Sequence, residues 1–337
     1  MILLPHRPFC LTLRPPLLAL LCAVGLAAAR PAAAQGPFET DFDAKTRISG
    51  LDAGQVHRFR QRIAALLDDL KQMPEVTAPP PTVCMRLRSF LVAGLSPDGM
   101  AEASVSAMMP ISFANGHCHR MTGSGVEFLV NHARGLFSGD RLISDVGRDG
   151  ESFYLLDLNP EQERVIWLGR RTQLLLREPG RHPWRPVPRQ RFLSRLLEAH
   201  EAHLARVEKT RAESEVAAAK LGMKFKVYKT DRLWTERRQA EIAALREALA
   251  ADTPEQARQP ACHPRPPGDR GPCPLNQTVM EVNPGFWQTH APERVQLLLI
   301  TTSPVQDMQE SKDKFETRMR LRKALDAQRL LAWMDGS

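Results

Sequence analysis

The sequence lacks the short motifs that identify most enzyme classes. It has no Gly-x-Gly-x-x-Gly dinucleotide fingerprint, no Gly-x-x-x-x-Gly-Lys phosphate loop and no Gly-x-Ser-x-Gly nucleophile turn. His200 and His203 are one position too close together for the zinc motif His-Glu-x-x-His, so we interpret them as helix surface. No internal repeat is present. The sequence therefore favours a non-enzymatic protein and leaves the enzyme question open.

Long apolar runs are also scarce. The most apolar segment, Leu17–Ala29, has thirteen residues, and a bilayer span needs about 20. Arg7 and Arg14 precede it, and an Ala-x-Ala sequence ending at Ala34 follows, as in a secretory signal peptide. We therefore predict a signal peptide over residues 1–34, export to the periplasm or the extracellular medium, and no transmembrane segment in the mature chain.

Cysteine is sparse, with six residues in 337. The predicted cleavage removes two of them, and an even number in an exported chain favours disulfide bonds. Four cysteines allow three pairings. We predict Cys84–Cys118 and Cys262–Cys273, with the second bond closing the proline-rich segment Pro254–Pro274.

The order of helical and alternating segments predicts an α+β fold. Helical spacing covers Leu51–Met73, and short alternating segments with turn signals then run from Thr82 to Glu178. They predict an antiparallel β-meander that forms a sheet or a partial barrel. A helical hairpin with its second helix at Glu236–Ala251, a buried strand at Val295–Thr302 and a helix at Ser311–Met334 complete the chain.

Two regions are expected after the signal peptide. Residues 35–178 hold the N-terminal helix and the β region. Residues 179–337 hold the helical hairpin, the clipped proline-rich loop and the C-terminal strand and helix.

The segment FANGHCHRMTGSG suggests a metal site. A hairpin turning at Gly123-Ser124 would place His117, His119 and His132 on one sheet face and Cys118 on the other. Three histidines with an open fourth position are the ligands of a catalytic zinc ion. The alternative is that these are ordinary polar residues on a partly wet face.

The charge distribution suggests a binding face. Between Arg164 and Arg195 there are nine arginines and one acid, Glu178, while the mature chain carries a formal charge of only +5. Arginine suits phosphate and carboxylate groups, and tryptophan suits an interface between wet and apolar zones. The alternative is a solvated basic rim. The candidate binding residues are Arg164, Trp167, Arg170, Arg171, Arg177, Arg181, Trp184 and Arg185.

Three function hypotheses follow. The first is an exported, non-enzymatic envelope protein that binds an anionic partner, either a lipid headgroup, lipopolysaccharide or an acidic protein, through this Arg/Trp-rich face. The second is a carrier of an apolar lipid in a half-barrel cavity. The third is a zinc-dependent hydrolase or lyase that uses the three histidines. Zinc is the one cofactor considered, nucleic acid is disfavoured by the compartment, and the oligomeric state is left open.

Overall fold

A computed structural model describes residues 36–43, 46–110, 113–114, 117–118, 123–137, 141–143, 152–169, 172–302 and 311–336. The predicted signal peptide lies outside these residues. The helices are α1 (Ala53–Lys71), α2 (Pro74–Thr77), α3 (Arg189–Lys220), α4 (Lys229–Ala251), α5 (Pro254–Arg258), α6 (Lys312–Ala324) and α7 (Ala327–Asp335). The strands are β1 (Phe38–Asp41), β2 (Met85–Leu95), β3 (Ala101–Pro110), β4 (Phe113–Ala114), β5 (His117–Cys118), β6 (Gly123–Val130), β7 (Tyr154–Leu155), β8 (Leu158–Gln162), β9 (Val165–Leu168), β10 (Thr172–Leu176), β11 (Trp184–Pro186), β12 (Val279–Val282) and β13 (Leu297–Thr302).

The main sheet confirms the predicted α+β class. Its eight strands follow the order β1-β2-β3-β6-β13-β10-β9-β8, and every neighbouring pair is antiparallel except β1 with β2. The sheet is open and does not close into a barrel. A smaller sheet has the order β11-β12-β7. The division at residues 178 and 179 stays a prediction, although β13 of the second region completes the sheet of the first.

Strand β13 shows why the sheet is more than a meander. It lies between β6 and β10, at the centre of the sheet. Leu298 and Ile300 pack into the core beneath α1 and α7, whereas Leu297 and Leu299 pack into the core shared with the small sheet. Because both faces are covered, the strand is apolar at successive positions and does not alternate.

Helix α1 agrees with the helix predicted at its position. Asp52 caps it, since the Asp52 carboxylate accepts from the Gln55 backbone N–H at 2.8 Å and the Gln55 side chain accepts from the Asp52 N–H at 2.9 Å. Its buried face consists of Phe59, Ile63, Leu66, Leu67 and Leu70.

The predicted C-terminal helix is two helices. The helix ends after α6, because the backbone of Asp326 is extended. The Asp326 carboxylate accepts from the backbone N–H of Gln328 at 2.8 Å. An aspartate in that role starts a new helix and satisfies its first N–H groups. The expectation of one continuous helix over Ser311–Met334 was therefore wrong.

The helical hairpin is confirmed and is longer than predicted. Its second helix, α4, begins at Lys229, seven residues before the expected start at Glu236. Phe192 and Leu193 of α3 and Leu245 of α4 anchor its base in a third core, together with Phe153 and other residues beside the small sheet. Among the described residues, no helix is long and apolar enough to cross a membrane.

Candidate functional site

Two of the candidate arginines hold the end of the last helix. Arg164 donates to both carboxylate oxygens of Asp335, at 2.8 and 3.0 Å, and Arg177 donates to the backbone oxygens of Met334 and Asp335. Positive charge at a helix C-terminus is stabilising because unpaired carbonyl groups gather there. Burial is the main reason that the pKa of Arg177 is lowered, and the neighbouring Arg294 adds to the effect.

The other described candidates also have internal partners. Arg181 donates to Glu178 at 2.9 Å and to the carbonyl oxygen of Phe286 at 2.7 Å, and Arg185 donates to Glu281 at 2.7 Å. The indole of Trp167 donates to Glu161 at 2.8 Å and lies beneath the Arg322 guanidinium. Trp184 is buried in the core.

Arg170 and Arg171 lie outside the described residues. The binding face between Arg164 and Arg195 therefore stays a prediction. The guanidinium groups of its described arginines bind acids and carbonyl groups of the same chain.

Protonation of His182 is expected to make the stability of the fold depend on pH. Its ring stacks on Trp184 with centroids 5.0 Å apart, and its Nδ1 is buried without a hydrogen-bond partner among the described atoms. Burial lowers the pKa of His182, and Glu163 partly opposes this effect. The folded state thus favours neutral His182, so the unfolded chain takes up the proton first as the pH falls.

We expect the contribution of neutral His182 to the free energy of unfolding to be complete above pH ~6.5, the usual pKa of histidine. It should be lost as the pH falls from there through the lower pKa that His182 has in the folded state. Urea unfolding at pH 7.5 and pH 5 measures it. The loss of stability between these pH values is expected to be smaller in His182→Gln than in the wild type. A matched variant of the exposed His57, His57→Gln, should keep the wild-type loss, and an unchanged loss in His182→Gln would contradict the assignment.

The β-hairpin predicted to turn at Gly123-Ser124 does not form. Phe128 of β6 pairs with Val105 of β3 on one side and with Ile300 of β13 on the other, so both edges of β6 are occupied. His117 instead lies in β5, opposite Ala114 of β4. The predicted pairing of residues 117–119 with 128–130 is therefore wrong.

The three-histidine zinc site loses its geometric basis with that pairing. His119 lies outside the described residues, and His132 follows the end of β6, where it lowers the pKa of Glu127 against the larger raising effect of burial. In the described part of the chain, no three His, Cys, Asp or Glu side chains gather closely enough to hold a metal ion.

One predicted disulfide is confirmed. Cys262 and Cys273 are bonded, with their Cα atoms 5.6 Å apart. Cys84 is buried and disulfide-bonded. The side chain of Cys118, its predicted partner, lies outside the described residues, so the Cys84–Cys118 pairing stays a prediction.

The loop that the confirmed disulfide closes lines a cleft that the sequence did not indicate. The cleft has a volume of about 860 Å³ and lies between the helical hairpin and the disulfide-clipped loop. We call it the hairpin cleft. It is lined by Leu196 and His200 of α3, by Trp234, Arg237, Arg238, Ala240, Glu241, Ala244 and Leu245 of α4, and by His263, Pro264, Arg265, Pro266 and Pro267 of the loop.

Arg189 fixes the loop wall of the hairpin cleft. Its Nε donates to Asp252 at 2.7 Å, and its two terminal nitrogens donate to the carbonyl oxygens of Pro267 and Asp269. Arg270 also bonds to Asp252, at 3.1 Å. The end of α4, the start of α3 and the loop thus meet at the guanidinium of Arg189. The disulfide Cys262–Cys273 closes the loop on both sides of Pro267 and Asp269.

The charges of the hairpin cleft are predominantly positive. Glu241 accepts from Arg237 at 3.0 Å and forms an ion pair with Arg238 at 3.1 Å, and its Oε2 lies 3.9 Å from Nδ1 of His200. Arg265 faces them from the loop, donates to the carbonyl oxygen of Gly271 at 3.2 Å and lies 3.6 Å from the carboxylate of Asp269, which is not part of the lining. Three guanidinium groups therefore share the cleft with one carboxylate.

The remaining lining is apolar or aromatic. The Arg238 guanidinium lies 5.5 Å from the centroid of the Trp234 ring, which packs on His203 at 5.1 Å. Leu196 and Leu245 lie at the base, where the hairpin joins the core. A ligand in the hairpin cleft would thus meet both guanidinium groups and apolar surface.

Our interpretation of His200 and His203 as helix surface was wrong for His200. His200 is buried and lines the hairpin cleft. A signal for this was present, because His200 follows Leu196 and Leu197 at the spacing of four and three residues that continues the apolar stripe of α3.

Comparison of the chain with protein-family models, curated proteins and solved structures found no match. The case for a function therefore depends on the hairpin cleft itself.

Proposed function

We propose that this chain is an exported, non-enzymatic binding protein, and that the hairpin cleft takes up a small organic anion with an apolar or aromatic body. The observation that carries the proposal is the meeting of three arginines and a tryptophan with one carboxylate in a single cleft. Its volume of about 860 Å³ falls within the usual range of small-molecule sites, about 300–1,000 Å³.

The excess of positive charge supports an anionic ligand. Glu241 pairs with Arg237 and Arg238 but balances the charge of only one of them. Arg265 adds a further guanidinium from the loop and pairs with Asp269 at 3.6 Å, so three cations and two carboxylates leave one net positive charge. A guanidinium has five N–H donors, so an arginine that binds Glu241 keeps donors for a ligand. Phosphate, sulfonate and carboxylate groups match this fork geometry.

The apolar lining supports a ligand with more than a charged group. Trp234 and the prolines of the loop offer flat surfaces that make dispersion contacts with a ring or an alkyl chain. A bare inorganic ion would leave that surface exposed to water. The proposed ligand therefore combines one anionic group with a ring or an alkyl body.

Export is proposed from the N-terminal segment and from the cysteines. The pattern of residues 1–34 is that of a signal peptide, and disulfides persist in oxidising compartments. A lipid headgroup, lipopolysaccharide or an acidic protein remains a source of the anionic group. The size of the cleft favours a single small molecule over the surface of a protein.

A pair of dyes tests the need for charge. 8-Anilinonaphthalene-1-sulfonate and N-phenyl-1-naphthylamine share the same aromatic body, and only the first carries a sulfonate. We expect the sulfonate dye to bind at least tenfold more tightly, because a charge-assisted hydrogen bond contributes about 1.5–3 kcal/mol. Fluorescence titration at low ionic strength gives both dissociation constants, and added salt should weaken only the sulfonate dye.

Two results would contradict the proposal. Equal affinity for both dyes would favour a carrier of apolar ligands, and binding of neither dye would leave the cleft without the proposed role. Stoichiometric zinc in the purified protein, lost in His117→Ala, would instead support the zinc enzyme.

A further inference from the structure

The helical hairpin extends well beyond the body of the protein. On α3 no residue after His200 is buried, and on α4 no residue before Ile242 is buried. At a rise of 1.5 Å per residue, the stretch of α3 from His200 to Lys220 is about 30 Å long. The end of the hairpin therefore lies far from the three cores.

The end of the hairpin combines exposed apolar and basic side chains. We call residues Lys220–Lys229 the hairpin tip. Leu221 is 74% exposed, Met223 63% and Tyr228 62%, and Phe225 is also exposed. The tip contains four lysines, at positions 220, 224, 226 and 229, and no acid. Large apolar side chains held in water are costly unless a partner covers them.

We propose that the hairpin tip docks on the surface of a lipid bilayer that contains anionic lipids. The lysines complement the negative surface, on which each basic residue strengthens binding roughly fivefold. The apolar side chains enter the region between headgroups and acyl chains, and the lysine stems extend to keep their charges among the headgroups. Tyr228 suits this interface because its ring is apolar and its hydroxyl is polar.

The size and composition of the hairpin tip favour a bilayer over a protein partner. A stable protein interface uses about 20–30 residues on each side, and its centre is depleted in lysine. The tip has ten residues, four of them lysine. A bilayer needs only a few inserted side chains and a positive charge, and both are present here. This proposal is independent of the hairpin cleft.

Vesicle binding tests the proposal with the purified protein. We expect sedimentation with vesicles of phosphatidylcholine and phosphatidylglycerol at a ratio of 7:3, and at least tenfold weaker binding to pure phosphatidylcholine. Lys224→Gln with Lys226→Gln should weaken binding to the anionic vesicles about 25-fold, since two lysines are removed. Met223→Ser with Phe225→Ser should weaken it about tenfold through lost apolar contact.

The matched control removes the same charge elsewhere. Lys209 and Lys312 are exposed outside the tip, so Lys209→Gln with Lys312→Gln should change binding less than twofold. Arg238→Gln with Arg265→Gln in the hairpin cleft should also leave vesicle binding unchanged.

Three results would overturn the proposal. The first is equal binding by the tip variants and the wild type, and the second is an equal loss in the control. The third is binding of soluble poly-glutamate, or self-association of the chain, that depends on the tip in the absence of any vesicle binding.

Discussion

Replacement of Arg189 by methionine is expected to lower the free energy of unfolding by about 3–5 kcal/mol, because it breaks a buried ion pair from one side. The carboxylate of Asp252 is only 3% exposed and accepts from Arg189 at 2.7 Å. Once Arg189 is gone, the Asp252 carboxylate keeps, among the described residues, the contact with Arg270. The carbonyl groups of Pro267 and Asp269 lose a shared donor as well.

Urea unfolding of Arg189→Met against Arg195→Met measures this effect. Arg195 lies on the same helix, but its pair with Glu198 is exposed, so we expect a change of about 0–1 kcal/mol there. Addition of Asp252→Leu to Arg189→Met should restore part of the stability, since it removes the isolated buried charge. Equal small losses in Arg189→Met and Arg195→Met would show that Arg189 does not hold the loop.

Removal of the confirmed disulfide is expected to cost about 3 kcal/mol. Cys262 and Cys273 are 11 positions apart, and the loss of loop entropy in the unfolded chain predicts this value for a loop of about that length. Because the loop carries Arg265 and the proline wall, the double variant Cys262→Ser with Cys273→Ser should also bind the sulfonate dye more weakly.

Serine variants are preferable to reduction of the wild type, since a reductant would also attack the disulfide at Cys84. Unfolding curves of the double serine variant and the wild type, both without reductant, give the difference in stability. Unchanged stability would mean that other contacts, such as those of Arg189, already fix the loop.

The sequence indicated local structure well, because local structure follows residue spacing. The apolar positions of α1 recur every three or four residues, and the apolar run of β13 marks a strand with two buried faces. Neither pattern indicates which strands pair with each other. That β13 inserts between β6 and β10 depends on pairing over long sequence distances, as does the failure of the predicted histidine hairpin.

The role of arginine was the hardest feature to predict. A guanidinium binds carboxylates and carbonyl groups equally well inside a protein and on a ligand, so the charge of the Arg164–Arg195 segment did not separate the two cases. Within that segment, Arg177 holds the last helix and Arg189 holds the loop. The arginines of the hairpin cleft come from α4 and the loop and are brought together only by the fold.

The most direct test of the proposed function is the affinity of a cleft variant for 8-anilinonaphthalene-1-sulfonate. Arg238→Gln with Arg265→Gln removes two cations from the cleft. Arg211→Gln with Arg258→Gln removes two arginines that do not line it, the first of which forms an exposed pair with Glu215. We predict binding at least tenfold weaker in the first variant and within twofold of the wild type in the second. Thermal unfolding curves check that both variants are folded. Equal affinities in the two variants would contradict an anion site in the hairpin cleft.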